Sequence, residues 1–141
     1  MTARPWETVV LDASVALAWV LPGDHDALAL RDRACDAERY ELVVPPTFWF
    51  EVTNALWVAT RRGRLDGTAA AEALASLEEF AIDVWLAEPA RCLSLALEFG
   101  VAAYDAACLA IALDRPAILW TLDARLAEVA AGAGVETAPA R

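Results

Sequence analysis

Lysine is missing from this 141-residue chain: all 11 basic residues are Arg. A Walker-A phosphate loop needs its Lys and Schiff-base chemistry needs an amine, so both are excluded. Histidine is almost as scarce. His25 stands alone, in Pro22-Gly-Asp-His-Asp, where it reads as a solvated loop residue. A Ser–His–Asp triad or a multi-histidine metal site would have to be built on that single side chain. The three cysteines, Cys35, Cys92 and Cys108, form no C-x-x-C pair, which removes zinc and thioredoxin-like motifs. Cys92 and Cys108 lie in Ala/Leu-rich helical sequence and read as small hydrophobes in a reducing cytoplasm. Uninterrupted apolar runs are lacking too, although 59% of residues are hydrophobic. Asp12, Glu51 and Asn54 break the two longest, at 9–21 and 45–60, below the roughly 20 residues a membrane span requires. The N-terminus has none of the regions of a signal peptide. With no linker, repeat or composition shift, a single domain over residues 1–141 is expected, cytoplasmic and free of the membrane.

Short apolar stretches alternate with helical patterns. Strands are expected at 8–11, 42–44, 82–86, 117–122 and 135–137, and helices at 15–21, 24–39, 47–62, 68–80, 89–100, 103–113 and 123–131. Pro22-Gly23 breaks the first helix from the second, and Gly63 ends the long one. Such alternation indicates an α/β fold, a short parallel sheet covered by helices on both faces. Sites in these sheets form beyond the carboxyl ends of the strands.

Four acids stand out at or near those ends. Asp12 follows Val9-Val10-Leu11 and Asp123 follows Leu119-Trp120-Thr121-Leu122, while Glu51 and Asp105 interrupt apolar helical sequence. Burying a lone carboxylate is expensive, so it finds a partner, a proton or a metal. Each acid alone has a second explanation. Asp12, Asp123 and Asp105 could be helix caps, and Glu51 could share a solvated stripe with Asn54. Taken together in a parallel sheet, they converge on one acidic pocket. Mutually repelling carboxylates without histidine suit a hard divalent cation, Mg²⁺ or Mn²⁺, and hence metal-dependent phosphodiester hydrolysis.

These residues resemble the PIN-domain ribonucleases, and within them the VapC-type toxins of toxin–antitoxin pairs. The resemblance rests on Val10-Leu-Asp12-Ala-Ser14, Phe50-Glu51-Val-Thr-Asn54-Ala-Leu56, Tyr104-Asp105-Ala-Ala-Cys-Leu-Ala-Ile-Ala112 and Thr121-Leu-Asp123-Ala-Arg-Leu126, and covers nearly the whole chain. It implies a Rossmann-like PIN fold and Mg²⁺- or Mn²⁺-dependent endoribonuclease activity. It makes Asp12, Glu51, Asp105 and Asp123 the catalytic, metal-holding cluster, and it matches Ser14, Thr121 and Asn54 to supporting positions. It also implies a homodimer neutralised by a cognate VapB-type antitoxin. Trp19, Trp49 and Trp57, on helices beside the expected pocket, read either as anchors for such a partner or as core.

The charge of −10 sits awkwardly with RNA, whose phosphates are met by cations. Arg61, Arg62 and Arg64 form the only dense basic patch and are the expected RNA-backbone contacts, with helix C-terminal compensation as their other explanation. Weak, strongly salt-dependent binding of free RNA is expected. Two alternatives stand beside the nuclease: a catalytically silent PIN-like interaction domain, and an enzyme acting on single-stranded or flap DNA.

Overall fold

Val9, Val10 and Leu11 are fully buried in succession, as a strand covered on both faces must be. They belong to β1 (Glu7–Leu11), the centre of a five-stranded, all-parallel sheet in the order β3-β2-β1-β4-β5. The other strands are β2 (Tyr40–Val44), β3 (Ile82–Val84), β4 (Ile118–Trp120) and β5 (Thr137–Ala138). In this computed structural model residues 6–21 and 25–139 are described. The expected break at Pro22-Gly23 and helix start at Asp24 lie outside them.

Successive strand side chains point to opposite faces, so the sheet divides the core in two. Val9, Leu11, Leu42 and Val44 pack with α1 (Ala13–Val20), α2 (His25–Ala34), α3 (Phe48–Arg61) and α4 (Gly67–Glu78). Val10, Val43 and Leu119 face α5 (Pro89–Phe99), α6 (Ala103–Asp114) and α7 (Ala124–Gly132). The expected α/β architecture with helices on both faces is therefore present. Cys92 and Cys108 are buried in the second layer as packing residues. Among the described residues no single helix is long and apolar enough to cross a membrane.

Several boundaries differ from expectation. The second helix stops at Ala34 rather than running to Arg39. The chain turns through Asp36, whose carbonyl accepts from the Arg39 and Tyr40 amides, because Tyr40 must pair with Glu7 in the ladder. Its ring also packs against Trp120 at 5.7 Å, and Arg33 donates to its hydroxyl at 3.1 and 3.2 Å. The third strand ends at Val84, two residues early, on an exposed sheet edge. His25 is exposed as expected, but it opens α2 instead of lying in a loop. Trp19 is core, Trp49 is half-buried edge-on to Phe48 at 5.0 Å, and only Trp57 of the three is exposed.

Gly100 sets how α6 begins. It closes α5 with φ of 67°, a left-handed conformation that releases the chain into α6 three residues later. A Cβ there would meet only Arg125 Nη2, at 3.9 Å, so the cost of a side chain is conformational. Gly100→Ala should lower stability by about 1 kcal/mol in urea titrations. Gly67→Ala, at a helix start with open space and no left-handed φ, should leave stability equal or raised by up to about 1 kcal/mol.

Candidate active site

The chain runs from β1 outward to β2 and β3, then crosses to β4 on the other side of β1. The strand order reverses between β1 and β4, and their carboxyl ends bound a crevice there. Asp12 leaves β1 at that point, and Thr121 and Asp123 leave β4 beside it. Glu51 comes from the first turn of α3, and Asp105 from the first turn of α6. Helices antiparallel to a parallel sheet begin over its carboxyl edge, which brings these two acids to the same end.

Asp12 occupies the N-cap position of α1, yet its side chain caps nothing. Its Oδ2 instead accepts from Ser14 Oγ at 2.5 Å and Thr121 Oγ1 at 2.8 Å. The two hydroxyls are themselves held: the Leu122 amide donates to Ser14 Oγ and the Asp123 amide to Thr121 Oγ1, both at 3.0 Å. The Asp12 amide also donates to the Trp120 carbonyl at 3.0 Å. Together these bonds sew the end of β1 to the end of β4. Asp123 behaves differently. Its Oδ1 caps α7, accepting from the Arg125 and Leu126 amides at 2.9 and 3.1 Å, as the capping explanation held.

Asp105 is not a cap, for Ala102 holds that position. Asn54 is exposed and, among the described residues, makes no hydrogen bond to Glu51. Thr47 does so in its place, donating from Oγ1 to Glu51 Oε1 at 3.0 Å. Thr47 is not among the residues the sequence singles out, although it lies one helical turn before Glu51, the spacing at which side chains meet.

Electrostatics ties the four acids together. Burial raises the Glu51 carboxyl above its ordinary 4.5; the Thr47 bond opposes this, and the Asp12 and Asp105 charges add to it. Burial likewise raises Asp105 above 3.8, helped by Asp12 and Asp123. Cys108, beneath them, is pushed well above 9.0 by burial and then by the charges of Asp12, Glu51 and Asp105, so it is a packed thiol. None of the four acids is ion-paired among the described residues; Arg91 pairs with Asp114 elsewhere, at 3.5 Å. Among those residues no three acids, Cys or His are arranged to hold an ion as they stand. The four-carboxylate site expected from the sequence is thus an open acidic cluster whose charges raise one another's proton affinity.

Residues 9–132 match the PIN domain family. The chain belongs to that family. Ribonuclease VapC3 of Pyrobaculum aerophilum is 36% identical to this PIN-domain chain over 124 residues, which cover 85% of this chain and 92% of that protein. The crystal structure of PAE2754, also from Pyrobaculum aerophilum, superposes with a TM-score of 0.72 at 25% identity, covering 96% of this chain and 85% of the other. VapBC-1 from nontypeable Haemophilus influenzae superposes at 0.60 with 14% identity, over 92% of this chain and 96% of its own, a likeness of fold alone. The all-parallel sheet order described above is accordingly that of a PIN fold.

The raised carboxyls set a pH dependence. Glu51 and Asp105 bind protons more tightly folded than unfolded. Their contribution to stability is therefore complete below the ordinary carboxylate range and is lost as pH rises through the raised folded values. In EDTA, Asp105→Asn should melt higher than wild type at pH 7.5, and the gap should narrow at pH 4.5. A gap that is constant or reversed would mean the acids do not repel.

Proposed function

We propose that this PIN-domain chain is an endoribonuclease toxin of the VapC type, hydrolysing RNA phosphodiester bonds with a divalent cation, Mg²⁺ or Mn²⁺. The observation that carries this is the convergence of Asp12, Glu51, Asp105 and Asp123 at the β1–β4 crevice, with none of the four ion-paired among the described residues. The ribonuclease name of its relative VapC3 supports it. The donor set is oxygen only, which suits a hard cation. Mg²⁺ keeps several waters and takes only one or two carboxylates directly, so an open cluster fits it without a ready cage. When bound, the cation supplies Lewis acidity toward the phosphate and acidifies water.

The protein's own part follows from its bonds. Asp12 is fixed by Ser14 and Thr121, so it is the rigid anchor of the cluster. Asp123 spends only Oδ1 on its cap. Glu51 and Asp105, the acids with raised proton affinity, are suited to take the proton from the attacking water, with Thr47 orienting Glu51. Arg61, Arg62 and Arg64, exposed at the end of α3, would meet backbone phosphates. A cytoplasmic setting suits the free thiols of all three cysteines.

Two protein partners belong to the same proposal. A VapB-type antitoxin is supported by the fold likeness to VapBC-1 of Haemophilus influenzae. A second copy of the chain is supported by the exposed Leu93 and Leu97, one turn apart on α5, and by the exposed Leu86 in the segment before that helix. One observation favours the alternative, a catalytically silent PIN-like interaction domain: no three acids are set to hold an ion as they stand among the described residues.

Thermal unfolding in EDTA and then in millimolar Mg²⁺ or Mn²⁺ separates the two. At a cation concentration 100 times its Kd, the wild type should gain about 2.7 kcal/mol, and Asp105→Asn much less. Metal-dependent RNA cleavage should fall at least about 100-fold in Asp12→Asn and Asp105→Asn, and about 10- to 100-fold in Thr121→Val. Asp123→Asn, which keeps a capping side chain, should retain stability while losing activity. Midpoints and RNA products indifferent to metal in every variant would leave the silent domain.

A further inference from the structure

Three exposed aromatic side chains on the two helices that carry Glu51 and Asp105 have no part in the chemistry above. Phe50 is 78% exposed, Trp57 55% and Tyr104 60%. Phe50 and Tyr104 immediately precede Glu51 and Asp105, on two helices whose acids feel each other's charge. At 3.6 residues per turn, positions 50, 54, 57 and 61 share one face of α3. Phe50, Asn54, Trp57 and Arg61 are all exposed and make a stripe leading from the acids to the end of the helix. That end is shaped. The Arg61 guanidinium lies 5.0 Å above the Trp57 ring, and the two line a depression of about 310 Å³ with Val58 and Arg62.

Charge says what fits there. In a chain of formal charge −10, Arg61, Arg62 and Arg64 place three cations within four positions, directly beyond the aromatic stripe. Aromatics beside cations, in an otherwise acidic protein, match a ligand with flat apolar rings on a polyanionic backbone. An unpaired nucleic-acid strand is such a ligand, whereas a duplex hides its base faces.

We propose that Phe50, Trp57 and Tyr104 form a stacking platform for unpaired RNA bases on either side of the bond to be cut, with one base lodged against the Trp57–Arg61 pair. Arg62 and Arg64 take the phosphates that follow. Stacking supplies the affinity that so few cations cannot, and it selects single-stranded RNA. The choice of RNA rests on the nuclease function proposed above, but the test does not require cleavage.

The full chain is titrated in EDTA against a short fluorescent single-stranded RNA of mixed sequence and against the same RNA as a duplex, reading anisotropy. Phe50→Ala, Trp57→Ala and Tyr104→Ala should each weaken single-strand binding on the order of tenfold, with unchanged melting temperatures. Trp57→Phe should keep most of the affinity, and binding to the duplex should be weak and unaffected by any of the four changes. Single-strand affinity that survives all three Ala changes, equal losses on the duplex, or a wild type that binds neither RNA would overturn the platform and leave the patch to a protein partner. Stacking losses in a protein that never cleaves RNA with metal would sustain the platform and reject the nuclease. Metal-dependent cleavage with untouched affinities would do the reverse.

Discussion

Asp12 accepts two hydroxyl hydrogen bonds on one carboxylate oxygen, from Ser14 on its own helix and Thr121 at the end of a strand more than a hundred residues later. Both hydroxyls receive backbone amides from the segment after β4, so the bonds hold two strand ends in register as well as one side chain. The rest of the acidic crevice depends on this. Asp123 starts its cap from the loop that Thr121 organises, and Asp105 and Glu51 face a charge whose position cannot drift. A buried carboxylate needs partners. Here neutral hydroxyls provide them and leave the negative charge in place.

That choice shapes the electrostatics of the whole carboxyl edge. Arginines beside the acids would have stabilised the fold and quenched the site. The nearest in sequence, Arg125, instead sends its guanidinium to the Phe99 carbonyl at 3.2 Å, tying α7 to the turn before α6. The cluster therefore carries repulsion that the two-layered core must offset. Val9, Val10 and Leu11 on β1, and Leu109 and Ala110 on α6, are buried completely in the elements that carry Asp12 and Asp105, and give those acids a close-packed support.

Much of this was legible in the residues. A fully apolar run followed by Asp marks a central parallel strand and its exit, and Pro89 and Gly100 bracket α5 where a missing amide and a left-handed turn belong. Legibility failed where distant groups compete with local ones. The helical pattern after His25 reads on to Arg39, but the sheet needs Tyr40 and its contact with Trp120, so α2 stops at Ala34. Asp12 and Asp123 look alike in sequence, each an acid between a strand and a helix. Only one caps, because only Asp12 lies within reach of a hydroxyl from another strand. Thr47 was hidden for the opposite reason, since its bond to Glu51 is local but a Thr before a helix carries no mark of its partner.

What the residues alone decided was the class of fold, the absence of lysine chemistry, and which four acids to propose for the site, because hydrophobic periodicity and residue type are local properties. What the tertiary structure decided was their state: which carboxylate is held by hydroxyls, which caps a helix, which two hold their protons more tightly, and which tryptophan stays in water. Those are properties of distance between residues far apart in the chain. Burial and Coulomb interaction exist only once the sheet has brought the residues together.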